Sequence, residues 1–146
     1  MPSPNLAFWQ SLVAHARSTG SLDDPVVREK FVRFYELIEV SRLSGQRARA
    51  KDASPVSPNL GKLMMSELYR VAADLGATVL GPAATLDSER GSFESRVQEL
   101  MLFAPGPAIY GGTDQIQQNI IGERGLGLPR EPGPAKDTPF SELPKN

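Results

Sequence analysis

Apolar residues recur at intervals of three and four positions along most of this 146-residue sequence, and clusters of glycine and proline interrupt the pattern. This spacing is typical of amphipathic α-helices, which place one apolar stripe against a core. No segment shows the sustained two-residue alternation, bounded by hairpin turns, that indicates strands, so no strands are expected. The sequence therefore predicts an all-α fold, an up-and-down bundle of about four to five helices joined by short connections.

Local signals delimit the first two predicted helices. A helix is expected over about residues 5–18, and Gly20 ends it. Asp24 is a suitable N-cap for a second helix because Pro25 follows at the first helical position, where its missing N–H has no intrahelical partner to lose. The second helix is predicted to continue to about Lys51. Its apolar stripe consists of Val27, Phe31, Phe34, Tyr35 and Ile38.

Three further helices are predicted in the rest of the chain. The third begins in the same way at Ser57-Pro58 and ends at Gly81. A fourth spans about residues 89–103, and a fifth begins after Thr113, which is a plausible N-cap. The residues expected to be buried in these helices include Met64, Met65, Phe93, Val97, Ile116, Ile120 and Ile121.

The end of the chain differs in composition from the helical part. Five prolines fall within the last eighteen residues, a density that is incompatible with regular secondary structure. The predicted organisation is one helical domain over residues 1–128 followed by a Pro-rich tail over residues 129–146.

Residue types that are scarce or missing exclude several classes of function. The chain has no cysteine and a single histidine, His15. It therefore has no disulfide framework, no thiolate zinc site and no paired-histidine metal site, and no bound metal is expected. No apolar run approaches the roughly 20 residues of a membrane span, and the N-terminus lacks the pattern of a signal peptide. A cytoplasmic protein is expected.

The charge pattern argues against a nucleic-acid partner. The 16 Lys and Arg residues are balanced by 17 Asp and Glu residues, for a net charge of −1, and no long basic run is present. The nearest approach to one is Arg42, Arg47, Arg49 and Lys51, near the end of the predicted second helix. Because positive charge complements the dipole at a helix C-terminus, a solvated helix end is favoured over an anion site.

The C-terminal third contains a motif that is more specific than the helical pattern. It runs from Ile109 to Pro132 and reads IYGGTDQIQQNIIGERGLGLPREP. This string resembles the last block of the acyl-CoA dehydrogenases, which typically reads Y-E-G-T-x-x-I-Q, followed by a helix and an E/A-R-x-L-G ending. The segments 23–28, 62–68 and 80–82 resemble more loosely the C-terminal helical domain of bacterial members. The resemblance covers about residues 10–132, one domain of a larger family architecture.

The resemblance implies that the chain takes part in binding FAD. In the family, FAD lies between this domain, a middle domain and a neighbouring subunit. Thr113 would hydrogen-bond the flavin side of the cofactor, Gln115 would reach its adenosine half, and Gly112 would let a flat ring approach the backbone. Gly81 stands where the family has a glycine pair that contacts the FAD of the partner subunit. Arg17 lies about where the family has an arginine that reaches the FAD pyrophosphate across the dimer.

The resemblance also implies a reaction, the α,β-dehydrogenation of an acyl-CoA thioester. A carboxylate removes the α-proton while the β-hydrogen passes to the flavin as hydride. In the Y-E-G-T pattern the glutamate is the base, and here Gly111 occupies its position, so no catalytic residue is predicted in this chain. Tyr110 and Gly111 are predicted to contact the acyl-CoA. The nearest carboxylates, Asp114 and Glu123, are expected to be structural.

Three interpretations remain open. The chain is part of a flavoenzyme and is incomplete on its own, or it is a non-catalytic subunit that docks on a larger acyl-CoA dehydrogenase, or it is a helical interaction module without flavin. The expected partners are acyl-CoA and either a second copy of the chain or a larger dehydrogenase subunit. Phe8 and Trp9, on the short first helix, are expected to expose apolar surface that promotes oligomerisation.

Overall fold

The computed structural model describes residues 3–86, 88–130, 133–134 and 138–142. Within these ranges the regular structure is helical throughout and contains no strand, which confirms the predicted all-α fold with about four to five helices. The helices are α1 (Leu6–Thr19), α2 (Pro25–Arg47), α3 (Ser57–Leu80), α4 (Phe93–Phe103) and α5 (Asp114–Ile120), and α5 continues into one π-helical turn over Ile121–Gly125.

Three of the predicted helix limits are confirmed in atomic detail. Gly20 ends α1 in the left-handed conformation, with φ +75°. The Asp24 side chain accepts a hydrogen bond from the amide of Val26, and Pro25 is the first residue of α2. Thr113 caps α5 by accepting from the amide of Ile116. These signals are local, so they act in the same way whatever the surrounding fold.

Other predicted helix limits differ from the structure in a cap or by a few residues. Helix α3 begins at Ser57 and ends before Gly81 as predicted, and only its cap differs, because the N-cap position is taken by Val56, which has no side-chain cap. Helix α4 begins at residue 93 rather than 89, because Gly91 has φ +89° and Ser92 caps the helix through the amide of Ser95. Helix α2 ends at residue 47 rather than 51, and turns follow it.

The core lies between the first four helices. Phe34 of α2, Leu12 of α1 and Leu75 of α3 are almost solvent-free, as are Val97 and Leu100 of α4. Their complete burial fixes the relative positions of the four helices, because close-packed interiors leave little room for rearrangement.

The first helix is packed more completely than the sequence indicates. Phe8 is only 7% exposed and contacts Phe34 edge to face, so the prediction that it exposes apolar surface is wrong. Trp9 is half-buried, and its indole Nε1 donates to the carbonyl oxygen of Phe31 at 2.9 Å. The reason is that α1 lies against α2, which covers this edge of the helix.

Helices α2 and α3 run antiparallel and define the two ends of the bundle. Lys30, near the start of α2, pairs with Asp74 at 2.9 Å, and Arg33 lies 3.7 Å from Glu67. The start of α2 is therefore beside the end of α3. We call this the Gly81 end, and we call the other part of the bundle, where α5 contacts the first half of α3, the Thr113 end.

The Pro-rich tail is described only in part. It contains a short 3₁₀ turn at Phe140–Glu142, a local element that the composition does not predict. Residues 131–132, 135–137 and 143–146 of the predicted tail lie outside the described residues. Among the described residues, none of the helices has the length and apolarity needed to cross a membrane.

Candidate functional site

The turn before α5 has a backbone shape that requires glycine. Gly111 and Gly112 have φ values of +65° and +86°, a region that side chains with a Cβ rarely adopt. A Cβ on Gly112 would also lie 2.7 Å from Nε2 of Gln117, whereas a Cβ on Gly111 would meet nothing within 4 Å. The outer side of the turn is therefore bare backbone at Gly111.

Gln117 fixes this turn to the bundle. Its Nε2 donates to the carbonyl oxygen of Gly111 at 2.8 Å, and its Oε1 accepts from Nδ2 of Asn59 at 2.6 Å. The side chain is only 7% exposed and is the buried residue of α5. Gln117 thus joins the turn, α5 and the beginning of α3 through one buried amide.

The predicted buried edge of α5 is therefore wrong. Ile116 is 51% exposed, and Ile120 and Ile121 are only half-buried. The face of α5 that meets α3 carries polar side chains, since its counterparts on α3 are themselves polar. Gln117 follows the cap residue Thr113 by four positions, one helical turn, and that spacing is the sequence signal that could have placed both on one face.

Asp114 forms a second polar connection between α5 and α3. Its Oδ1 accepts from Nζ of Lys62 at 2.9 Å and from Oγ of Ser66 at 2.8 Å, and its Oδ2 lies 3.4 Å from Nη2 of Arg70. Burial favours the neutral carboxyl, but the hydrogen bonds from Lys62 and Ser66 and the charges of Lys62 and Arg70 outweigh it. The pKa of Asp114 consequently lies below its ordinary value.

Tyr110 stands on the exposed side of the turn and continues an aromatic row. Its ring centroid is 6.1 Å from that of Phe103, which in turn lies 5.2 Å from Tyr69. Burial raises the pKa of Tyr69, and the nearby Tyr110 adds to the effect. Gln115 is exposed at the same end of the molecule. The structure thus brings together Tyr110, Gly111, Gly112, Thr113 and Gln115.

Gly81 and Arg17 lie at the other end of the bundle. Gly81 ends α3 with φ +55° and is exposed, and Arg17 is exposed in the last turn of α1. Ser66, which contacts Asp114, is separated from Gly81 by about 22 Å along α3, at roughly 1.5 Å per residue. Within one chain, these two predicted cofactor residues are therefore not close to the Thr113 turn.

The two remaining chemical predictions concern metals and carboxylates. The described residues contain no cluster of three groups that could hold a metal ion. Glu123 is partly exposed and pairs with Arg130 at 3.2 Å. The carboxylate of Asp114 accepts hydrogen bonds from Lys62 and Ser66 of α3. Each of the two carboxylates therefore has a partner within the chain.

The chain is a helical bundle whose last helix, α5, begins after a glycine-glycine-threonine turn that Gln117 holds by a hydrogen bond. This combination defines the class of domain found at the C-terminus of acyl-CoA dehydrogenases. The sequence profile described as acyl-CoA dehydrogenase, C-terminal domain, matches residues 9–126. The chain therefore belongs to the acyl-CoA dehydrogenase family.

Two curated relatives support this assignment. Acyl-CoA dehydrogenase IpdE1 of Mycolicibacterium smegmatis is 39% identical over 121 residues, which cover 83% of this chain and 30% of the relative. Acyl-CoA dehydrogenase FadE26 of Mycobacterium tuberculosis is 31% identical over 131 residues, which cover 84% of this chain and 33% of the relative. The chain thus spans about a third of the length of these relatives.

Two solved structures are similar in fold to this chain. The Tcur3481-Tcur3483 steroid ACAD superposes with a TM-score of 0.74 at 25% identity, over 86% of this chain and 34% of that chain. The ChsE4-ChsE5 complex from Mycobacterium tuberculosis superposes with a TM-score of 0.71 at 27% identity, over 90% of this chain and 38% of that chain. Both structures are named for two components, and the second is a complex of them.

Proposed function

We propose that this chain supplies one part of the FAD site of an acyl-CoA dehydrogenase and that a second polypeptide completes the site. The observation that supports this most strongly is the separation of the predicted cofactor residues. Thr113 and its neighbours lie beside the first half of α3, where Asp114 contacts Ser66, whereas Gly81 lies about 22 Å further along the helix and Arg17 lies toward the same end as Gly81. Such a separation favours contacts with two different cofactor molecules, each held between two polypeptides.

The chemistry of the Thr113 end fits a flavin. Gly111 and Gly112 leave bare backbone that a flat ring can approach closely. The Oγ1 of Thr113 accepts from the amide of Ile116 at 3.3 Å, and its hydroxyl proton remains free to be donated to a cofactor acceptor. Gln115 carries an exposed amide for the adenosine half. A bound FAD would supply the hydride acceptor that no side chain can provide.

The Gly81 end is proposed to contact the cofactor of the neighbouring polypeptide. The exposed guanidinium of Arg17 offers a charged, multidentate donor suited to a pyrophosphate. Gly81 is exposed, and a Cβ there would meet nothing within 4 Å, so its backbone is open to close approach. Pro82 stands where the family has a second glycine, so the close approach at this end is proposed for Gly81 alone.

The acyl-CoA is proposed to lie against Tyr110 and Gly111, with its reacting carbons toward the flavin. Removal of the α-proton needs a carboxylate, and Gly111 carries no side chain at the family position. Asp114 is engaged by Lys62 and Ser66, and Glu123 by Arg130. We therefore place the base on another polypeptide segment. The steroid relative makes a steroid CoA ester the first substrate to assay.

The proposal is tested by measuring flavin retention. The purified chain, alone and together with any dehydrogenase chain that it recovers from native cells, is titrated with FAD and followed by visible absorption. We expect a flavin band, with Thr113→Ala lowering the FAD content severalfold and Thr113→Ser, which keeps the hydroxyl and the cap, retaining it. Unchanged FAD content in Thr113→Ala would contradict the assignment of this residue.

A non-catalytic partner subunit is the alternative, and the pull-down separates it from the first proposal. That alternative predicts recovery of a larger dehydrogenase chain whose flavin content is unaffected by changes at Thr113 and Arg17. If neither the chain nor any complex retains flavin, both are rejected, and a helical interaction module is left.

A further inference from the structure

Gln117 is a polar residue at a position where a helical bundle normally buries an apolar one. It is only 7% exposed and is the buried residue of α5. An apolar side chain of similar size would fill the same space, so packing alone does not require an amide. Two groups satisfy this amide, the carbonyl oxygen of Gly111 and Nδ2 of Asn59. These two hydrogen bonds determine which backbone group the Thr113 turn presents to a ligand.

The hydrogen bond from Gln117 sets the direction of the peptide group between Gly111 and Gly112. The Gly111 carbonyl oxygen accepts from Gln117 Nε2 at 2.8 Å, so it points into the bundle. This peptide group is planar and trans, and its N–H, which belongs to Gly112, therefore points the opposite way. Gly112 is exposed, and within the described ranges its amide donates to no other group. The turn thus presents a hydrogen-bond donor on its outer side.

The two glycines alone would not fix this direction. A peptide group can turn over by opposite rotations of the torsions on either side of it, and glycine adopts both signs of φ readily. In the opposite orientation the turn would present a carbonyl oxygen, which is an acceptor. Gln117 favours the observed orientation because its NH₂ group can only donate, and the Gly111 carbonyl is the acceptor that it meets.

Asn59 determines which end of the Gln117 amide faces the turn. Its Nδ2 donates to Gln117 Oε1 at 2.6 Å, so the amide oxygen faces α3 and the amide nitrogen faces Gly111. A reversed Gln117 amide would place two NH₂ groups against each other and two oxygens against each other. Asn59 is half-buried in the first turn of α3. A side chain of α3 therefore controls the hydrogen-bonding character of the turn before α5.

We propose that Gln117, oriented by Asn59, is a positioning residue that holds the Gly112 N–H outward as a hydrogen-bond donor to FAD. The inference rests on the proposed function, because it takes FAD as the ligand of this turn. It adds a second donor beside the hydroxyl of Thr113, and both suit a carbonyl oxygen or an unprotonated ring nitrogen of the cofactor. Gln117 and Asn59 act through the backbone of the turn.

The variant Asn59→Asp reverses the polarity of this arrangement and keeps its size. A carboxylate can only accept, so it would bind Gln117 Nε2 and turn Oε1 toward the Gly111 carbonyl. The peptide group is then expected to turn over, with the Gly112 N–H donating to Gln117. Helix α3 should be preserved, since an acidic residue in the first turn complements the helix dipole.

The variant Gln117→Glu makes the same change from the other partner. Its carboxylate can accept from Asn59 and from an inward Gly112 N–H, but it has no hydrogen to donate to the Gly111 carbonyl. The matched control is Gln118→Glu, which introduces the same charge at the next position of α5, where the side chain is exposed.

The direction of the Gly112 N–H is measured by NMR on the chain labelled with ¹³C and ¹⁵N in glycine alone. Gly111-Gly112 is the only Gly-Gly pair in the sequence, so an HNCO spectrum contains one peak, that of the Gly112 amide. We expect this amide to exchange rapidly with solvent in the parent and in Gln118→Glu. Its exchange should be at least about tenfold slower in Asn59→Asp and in Gln117→Glu.

The consequence for the cofactor is measured by titrating the same four proteins with FAD, as described for Thr113→Ala. Loss of one outward donor should weaken FAD binding about tenfold in Asn59→Asp and Gln117→Glu relative to the parent and Gln118→Glu.

Three results would overturn the proposal. One is a slowly exchanging Gly112 amide in the parent chain, and another is fast exchange that persists in Asn59→Asp. The third is unaltered FAD affinity in a variant whose Gly112 amide has become protected. A parent that binds no flavin, alone or in a complex, rejects the proposed function instead, and the exchange rates then still decide whether Gln117 fixes the turn.

Discussion

Asp114 is a largely buried charged residue whose carboxylate connects α5 to α3. Its side chain is 17% exposed and that of Lys62 is 11% exposed. Asp114→Asn keeps the shape but leaves Lys62 partly buried without its carboxylate, so we expect a loss of about 1–3 kcal/mol in the free energy of unfolding. Urea denaturation at neutral pH measures it. The control Asp74→Asn removes a carboxylate that is 63% exposed, and should cost less than about 1 kcal/mol.

The parent chain and Asp114→Asn also differ in how their stability depends on pH. Because folding lowers the pKa of Asp114, the stabilisation by its charge is fully present above the pKa of the unfolded chain, which is about 3.9. It is lost as the pH falls through the lower pKa of the folded state. The stability difference between the parent and Asp114→Asn should therefore be constant above about pH 5 and shrink in acid. A difference that grows in acid would contradict this assignment.

Gly112 is restrained in two ways, and Gly111 in one. Both have positive φ values, but only Gly112 has a neighbour, Nε2 of Gln117, at 2.7 Å from a built Cβ. We expect Gly111→Ala to cost about 1 kcal/mol through backbone strain alone, and Gly112→Ala to cost roughly 1–2 kcal/mol more. Thermal unfolding of the two variants tests the order. Equal destabilisation would mean that Gln117 moves aside without loss.

At the scale of a helix, α3 contains two glycines with opposite predicted effects. A Cβ on Gly76 would lie 2.7 Å from Cγ1 of Val97 on α4, whereas a Cβ on Gly61 would meet nothing within 4 Å. Gly76→Ala should therefore overpack the α3–α4 contact and destabilise the chain by about 1–3 kcal/mol. Gly61→Ala should stabilise it by up to about 1 kcal/mol through helix propensity. Chemical denaturation of both variants provides the comparison, and a neutral Gly76→Ala would show that α4 shifts freely.

The helices themselves could be predicted from the sequence wherever the controlling interaction is local. Gly20, Asp24 with Pro25, and Thr113 act within four residues of the helix end that they determine, and all three are confirmed. The apolar spacing of α2 and α4 gives their buried faces for the same reason, since Phe31, Phe34 and Val97 are buried as expected.

Contacts between distant segments could not be predicted in this way. The sequence places Ile116 in the core, yet the partner of that face is the polar row of α3, so Gln117 is buried instead. Helix α2 covers Phe8, and the 3.6-residue period within α1 cannot predict which other helix makes that contact. The family resemblance implies that Thr113 and Gly81 both contact a cofactor, and only the folded chain shows that they are far apart within one chain.

At the scale of the whole molecule, many large apolar side chains remain on the surface. Several of them lie in the last third of the described chain, where Leu102 is 86% exposed, Leu126 71% and Ile109 67%. Large apolar patches usually mark interfaces. We expect the chain to self-associate as its concentration rises, and Leu102→Glu to weaken that association. Light scattering over a concentration series measures it, and a monodisperse monomer at every concentration would contradict the prediction.

Helix α3 carries the contacts of the Thr113 turn and α5 between Asn59 and Arg70, and Gly81 follows its last residue. Each residue of an α-helix contributes a fixed advance and a rotation of about 100°. Deleting one residue between Arg70 and Ala77 would therefore turn one end of the molecule by that angle relative to the other, while both local turns kept their own hydrogen bonds. The number of residues in α3 is thus itself under constraint. The length of this helix sets the relative orientation of the two surfaces that we propose for contacts with different neighbours.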